Sequence, residues 1–165
     1  MAPSPPVYLD YNATTPVDGR VLEAMLPYFS QKFGNPASSA HAFGWVAEEA
    51  VSKARKQVAN LIGASDKEIV FTSGATEAIN LALQGVFEAY RRKGNHIIAA
   101  ATEHRAVLDT CCSLEEKGAE VTLLPVDRNG LINLTMLEKS IRSGTLMVCV
   151  MYVNNETGAI QPVSD

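Results

Sequence analysis

Cysteine is scarce in this 165-residue chain, with only Cys111, Cys112 and Cys149. An odd, sparse count argues against a disulfide framework and for a reducing compartment, the cytoplasm. The adjacent Cys111 and Cys112 form neither a CxxC redox pair nor a zinc knuckle, and they fit a buried helix face. His41, His96 and His104 are scattered and make no ligand cluster with the cysteines, so no metal site is expected. A strong excess of one charge is also lacking. Fourteen basic and eighteen acidic residues leave a net charge of −4, which offers no nucleic-acid surface. No apolar run approaches the ~18 residues of a membrane helix, so no membrane partner is expected. The opening Met-Ala-Pro-Ser-Pro-Pro has no basic or apolar leader region and no Arg-rich transit character. Repeats and low-complexity tracts are missing as well.

What is present suits a globular domain. The chain is 47% hydrophobic and 19% charged, which is too apolar for disorder and long enough for one sizeable core. Three prolines in the first six residues suggest a loosely held arm. Residues 1–16 read as an arm and turn, and 17–165 as the domain. The apolar spacing predicts helices over 18–30 (face Val21, Leu22, Met25, Phe29) and 43–62 (Ala47, Ala50, Val51, Ala54, Val58, Leu61). A short strand over 68–71 follows. Helix 76–91, strand 96–100, helix 105–117 and strand 120–125 come next. Asn133 caps a helix to about Arg142, and 146–151 is a strongly apolar strand. Alternating strands and helices mean an α/β domain with a mostly parallel sheet and flanking helices. Such sheets bind ligands at the carboxyl ends of their strands.

Three loops fall at that edge. Thr72-Ser73-Gly74-Ala75-Thr76-Glu77 opens a helix, where free amides and hydroxyls suit a phosphate. It is neither a Walker A loop nor GxGxxG, and ordinary capping by Ser73 is the plain alternative. In Thr102-Glu103-His104-Arg105, His104 either stacks on a ring and shuttles protons, or caps a helix. In Val153-Asn154-Asn155-Glu156-Thr157-Gly158, the amides either bind a ligand oxygen or build a turn. His96 opens its strand at the opposite edge and is given no role, and His41 precedes a helix. Together the loops suggest a phosphate-bearing, ring-containing ligand.

Four ordered stretches, LDYNATTP (Leu9 to Pro16), FTSGATEAINLA (Phe71 to Ala82), TEHRAVLD (Thr102 to Asp109) and VNNETG (Val153 to Gly158), resemble the cysteine desulfurases. GNPASSAHAFG (Gly34 to Gly44) extends the likeness over nearly the whole chain from Val7. These are NifS- and IscS-like enzymes of the class V aminotransferase fold that use pyridoxal phosphate (PLP). The resemblance implies the N-terminal part of a fold type I large domain. It implies PLP on a Schiff-base lysine, L-cysteine as substrate, a persulfide formed on an enzyme cysteine, and alanine as product. Sulfur then passes to an acceptor or scaffold protein for iron–sulfur cluster assembly or thiolation, and the family is homodimeric. By matching position, Ala75 and Thr76 hold the PLP phosphate, and His104 stacks on the ring and assists proton transfer. Asn155 serves the ring oxygen and the substrate carboxylate, and Asn12 borders the substrate.

The family's Schiff-base lysine and persulfide cysteine belong to its second half. The seven lysines here (Lys32, Lys53, Lys56, Lys67, Lys93, Lys117 and Lys139) sit on polar helix faces or in charged turns, where desolvation is not expected. The resemblance therefore implies an N-terminal half, inactive alone, that is either a fragment or one part of a split enzyme with a complementary C-terminal half. In its incomplete sheet, strand 68–71 would be left as an exposed edge. The alternatives are a non-catalytic interaction module of the same fold, or a related lyase such as one acting on selenocysteine.

Overall fold

The structure is a computed structural model describing residues 6–165, so all but Pro6 of the expected arm lies outside it. The chain divides into two compact units, 1–71 and 72–165.

In the first unit, α1 (Gly19–Ser30) starts where the Asp18 side chain accepts from the Arg20 amide at 2.9 Å. The longer α2 (Ala42–Ile62) is capped by His41 and ends at Gly63, whose φ of 70° suits glycine at a helix C-terminus. A 3-10 turn follows over Asp66–Glu68, where Glu68 Oε2 accepts from the Ser65 amide at 2.7 Å. Two expectations fail here. The strand over 68–71 does not form. Glu68 belongs to the turn, and Ile69 to Phe71 have no ladder partner among the described residues. The apolar face of α1 is not buried, since no α1 residue is and Phe29 is 72% exposed. The face predicted for α2 buries its small residue Ala47, while Val58 and Leu61 stay exposed.

The second unit carries the sheet. Its elements run α3 (Ala75–Tyr90), β1 (His96–Ala100), α4 (Arg105–Glu115), β2 (Glu120–Leu124), α5 (Leu134–Ser140) and β3 (Thr145–Cys149). The strands order β2-β1-β3 and are all parallel, as the alternating pattern predicts. β1 is the centre and every one of its residues is buried. Ile97 and Ala99 meet Leu83 and Phe87 of α3 and Val107, Cys111 and Leu114 of α4, forming the core. Asn133 caps α5 by accepting from the Met136 amide at 3.0 Å. Adjacent residues on a helix lie about 100° apart. Cys111 therefore faces the core while Cys112 is exposed, which corrects the shared buried face expected for the pair.

Two devices fix the amino edge of the sheet. His96 is buried, with Nδ1 at 2.8 Å from Thr145 Oγ1 and Nε2 at 2.8 Å from Thr122 Oγ1, so one ring spans all three strands. Beside it the His96 amide donates to the Gly144 carbonyl at 3.0 Å. Gly94 packs so close to this point that a Cβ on it would lie 2.2 Å from that carbonyl oxygen.

Candidate functional site

The parallel strands set the site at one edge. β1 ends into the loop leading to α4, and β3 ends into the 150–158 loop. α3 reaches β1 through the short turn at 91–95. It therefore runs against the strand and sets its own N-terminus at the carboxyl edge. Ala75, Thr76, His104 and Asn155 thus share that edge of the second unit. Asn12 belongs to the first unit, where it is exposed in a turn closed by the Ala13 amide donating to the Asp10 carbonyl at 3.2 Å.

At the α3 N-terminus the cap position is Gly74, with extended backbone and no side-chain cap. Capping by Ser73 does not occur. Its hydroxyl and its amide both donate to Glu77 Oε2 at 2.6 Å. Those bonds, the hydroxyl's first, hold the Glu77 carboxyl below its ordinary range. The first intrahelical bond starts at Ala78, whose amide donates to the Gly74 carbonyl at 3.1 Å. The amides of Ala75, Thr76 and Glu77 have no acceptor among the described residues. Unpaired amides at a helix N-terminus are the kind of donor set that suits an anion.

His104 is the N-cap of α4, and its Nδ1 accepts from the Ala106 amide at 3.1 Å. A backbone amide can only donate, so Nδ1 carries no proton and Nε2 carries it in the neutral ring. The ring is exposed. Capping and ligand contact are therefore compatible, because one nitrogen caps and the other faces out.

In the third loop the two asparagines differ. Asn155 is exposed, and its Nδ2 donates to Glu156 Oε1 at 2.9 Å. Asn154 is buried, with its Nδ2 donating to the Thr102 carbonyl at 3.0 Å. Its Oδ1 accepts from the amides of Glu156 at 3.0 Å and Thr157 at 2.9 Å, and from the Thr157 hydroxyl at 3.1 Å. From the opposite loop the buried Glu103 side chain accepts from the Met151 amide. Burial pushes the Glu103 carboxyl up, and that amide opposes the shift. Glu103 carried no assigned role in the sequence, and Asn154 shared with Asn155 the alternatives of ligand contact or turn, of which its hydrogen bonds form the turn. No periodicity separates Asn154 from Asn155 in a polar loop. The only local signal for Glu103 is its place just after an apolar strand.

All seven lysines are exposed, so none sits in desolvated surroundings. Burial pushes the Cys111 and Cys149 thiols up to about 11, which leaves them un-ionised at neutral pH. No group of three or more His, Cys, Asp or Glu able to hold a metal occurs among the described residues. No helix among them is long and apolar enough to cross a membrane.

The second unit thus sets an uncapped helix N-terminus and an exposed histidine at the carboxyl edge of a parallel sheet. The chain belongs to the aminotransferase class-V family, whose model matches residues 7–165. It is 56% identical over 160 residues to the cysteine desulfurase IscS of Rickettsia massiliae and 57% identical to that of Rickettsia akari. Each match covers 97% of this chain and 39% of the relative, so the chain spans about two fifths of the curated relatives' length. Among solved structures, a NifS-like protein superposes with a TM-score of 0.93 at 47% identity, covering 96% of this chain and 43% of that one. SspA in complex with cysteine superposes with a TM-score of 0.89 at 42% identity, covering 94% and 45%.

Proposed function

We propose that this chain supplies the cofactor-phosphate and ring-facing part of a PLP-dependent cysteine desulfurase. The observation that carries the reading is the uncapped α3 N-terminus, with the amides of Ala75, Thr76 and Glu77 free of acceptors among the described residues. That donor set fits a phosphate. Relatives named cysteine desulfurase and a neighbour solved with cysteine support the choice of ligand and substrate.

In this reading residues 17–165 form an incomplete PLP-binding large domain. Ala75 and Thr76 hold the PLP phosphate. His104 lies against the ring with its Nε2 proton outward, where it can pass a proton to or from a bound amino acid. Asn155 serves the ring oxygen and the substrate carboxylate, and Asn12 borders the substrate. When bound, PLP supplies an electron sink. The exposed lysines, the un-ionised Cys111 and Cys149, and the position of Cys112 on the α4 helix rather than on a loop leave the amine and the thiolate to a second polypeptide segment. The full activity (L-cysteine to alanine, with sulfur leaving on a cysteine toward an acceptor or scaffold protein) therefore belongs to an assembly, which we place in the cytoplasm as a homodimer of complete units.

Two measurements test this. Mixing the chain with PLP, reducing with borohydride and weighing the product is expected to leave no stoichiometric adduct on any lysine. A full adduct on one lysine, with alanine formed from cysteine, would overturn the division of labour. Replacing Ala75 by proline is the second test. Proline is welcome at the first helical position, so Ala75→Pro deletes one amide donor with little cost to the helix. A hydrogen bond to a charged group contributes about 1.5–3 kcal/mol. PLP binding, followed by its visible absorbance, is expected to weaken about ten- to a hundredfold. Unchanged binding would remove Ala75 from the phosphate site.

A further inference from the structure

Two buried polar side chains stand out in otherwise exposed loops. Glu103 is 9% exposed and Asn154 is 8% exposed. Each immediately precedes an exposed residue of the candidate site, His104 and Asn155. Burying polar groups costs free energy unless they are paired, and here each loop pairs its buried side chain with the backbone of the other. Asn154 of the second loop donates its Nδ2 to the Thr102 carbonyl of the first. Glu103 of the first loop accepts from the Met151 amide at the start of the second. The remaining oxygen of Asn154 gathers the amides of Glu156 and Thr157, which shapes the turn that presents Asn155. A Leu at either place would occupy similar space without making the bridge.

We propose that Glu103 and Asn154 are positioning residues, a two-way clamp that fixes His104 and Asn155 relative to one another. The inference rests on the reading of those two residues as ligand contacts, but its geometry is independent of any ligand. Each clamp bond joins one loop to the other across about fifty residues of sequence, 52 for Asn154 to Thr102 and 48 for Met151 to Glu103. The bridge therefore sets the separation of the loops rather than the shape of either alone. Through the clamp, a change in one loop is felt at the ligand-facing residue of the other.

The test uses the 165-residue chain, with the His104 ring and the Asn155 side-chain amide followed by NMR and amide exchange measured at Met151. Three variants separate the roles. Glu103→Ala removes the acceptor. Glu103→Gln keeps a carbonyl oxygen in its place. Asn154→Asp keeps the turn-forming oxygens and loses the donor to Thr102. Glu103→Ala is expected to speed Met151 exchange by about tenfold or more and to move the signals of both His104 and Asn155. Glu103→Gln is expected to restore both. Asn154→Asp should move the His104 ring, which it does not touch. If Glu103→Ala fails to fold, Asn154→Asp carries the test. Signals of His104 and Asn155 that stay in place while only the denaturation midpoint falls would overturn the clamp. So would a Glu103→Gln spectrum that matches the alanine variant. Adding PLP to the unmutated chain separates this proposal from the function proposed above. Unmoved Ala75 and Thr76 amides would remove the cofactor reading, while the clamp is judged on the ligand-free spectra.

Discussion

His96 shows how one side chain can hold a sheet together. Its neutral ring offers one donor and one acceptor, and the hydroxyls of Thr122 and Thr145 can meet either. Burial holds its pKa below the ordinary histidine range. Arg142 pushes the same way, and Glu120 opposes. The unfolded chain therefore binds the proton more readily than the folded one. The stabilisation is complete above the unfolded value of about 6.5 and is lost as pH falls through the folded one. Urea midpoints are expected to drop between pH 7 and pH 5, and His96→Gln is expected to flatten that drop. An equal slope in the variant would assign the pH dependence to other groups. The thiols make a second prediction at this scale. At pH 7.5 iodoacetamide should modify Cys112 quickly, and Cys111 and Cys149 only on unfolding. Cys112→Ser should abolish the fast phase. The placement of His104 and Asn155 at the carboxyl edge of the sheet was legible here from their motifs. Asn154 and Glu103 were not, because their importance lies in partners about fifty residues away.

At the scale of elements, β1, β2 and β3 were readable because each has a neighbour that turns its apolar run into a ladder. The 68–71 segment has the same β-type composition, Ile69-Val70-Phe71, and no such neighbour. β-propensity measures fit to a pleated, partly buried surface, so it fails without one. Among the described residues, Arg55 supplies this segment's contacts instead, donating to the Ile69 carbonyl and lying 5.0 Å from the Phe71 ring centroid. The helix patterns give a sharper contrast. Leu114 of α4 is fully buried, whereas Phe29 of α1 is 72% exposed. Leu114→Ala is expected to cost about 3 kcal/mol. Phe29→Ala should stay within about 0.5 kcal/mol despite deleting a larger side chain. Chemical denaturation of the two variants measures both. Gly94→Ala is expected to destabilise by about 1–3 kcal/mol, since its new Cβ meets backbone that cannot swing away.

For the molecule as a whole, the apolar pattern announces more core than the chain closes. Leu22, Met25, Leu26 and Phe29 of α1, with Leu61 and Ile62 of α2, are all exposed. Contiguous apolar surface of this kind marks an interaction face or an aggregation hazard. The chain is expected to bind anilinonaphthalene sulfonate strongly in its folded state, and to sediment as larger species as concentration rises. A dye-silent monomer across that range would contradict the expectation. The fold class was legible at this scale, because alternating elements fix a parallel sheet whatever packs around it. Which helix faces are covered was not legible, since amphipathic spacing states what a helix can bury and not whether a cover is present.

The long-range bonds of the second unit also imply an order of assembly. His96 meets Thr122 across 26 residues and Thr145 across 49, and the clamp bond from Asn154 to Thr102 spans 52. Doubling a loop adds only about 0.6 kcal/mol to its closure cost, so distance alone hardly ranks these contacts. Emergence from the ribosome, at about 5–20 residues per second, does rank them. The β1–β2 pair can form while β3 is still being made, and the loop bearing Asn155 arrives after every strand is available. A growing chain thus owns a sheet before it owns a binding edge. A partially synthesised copy has little means of engaging ligand until the 150–158 loop is out.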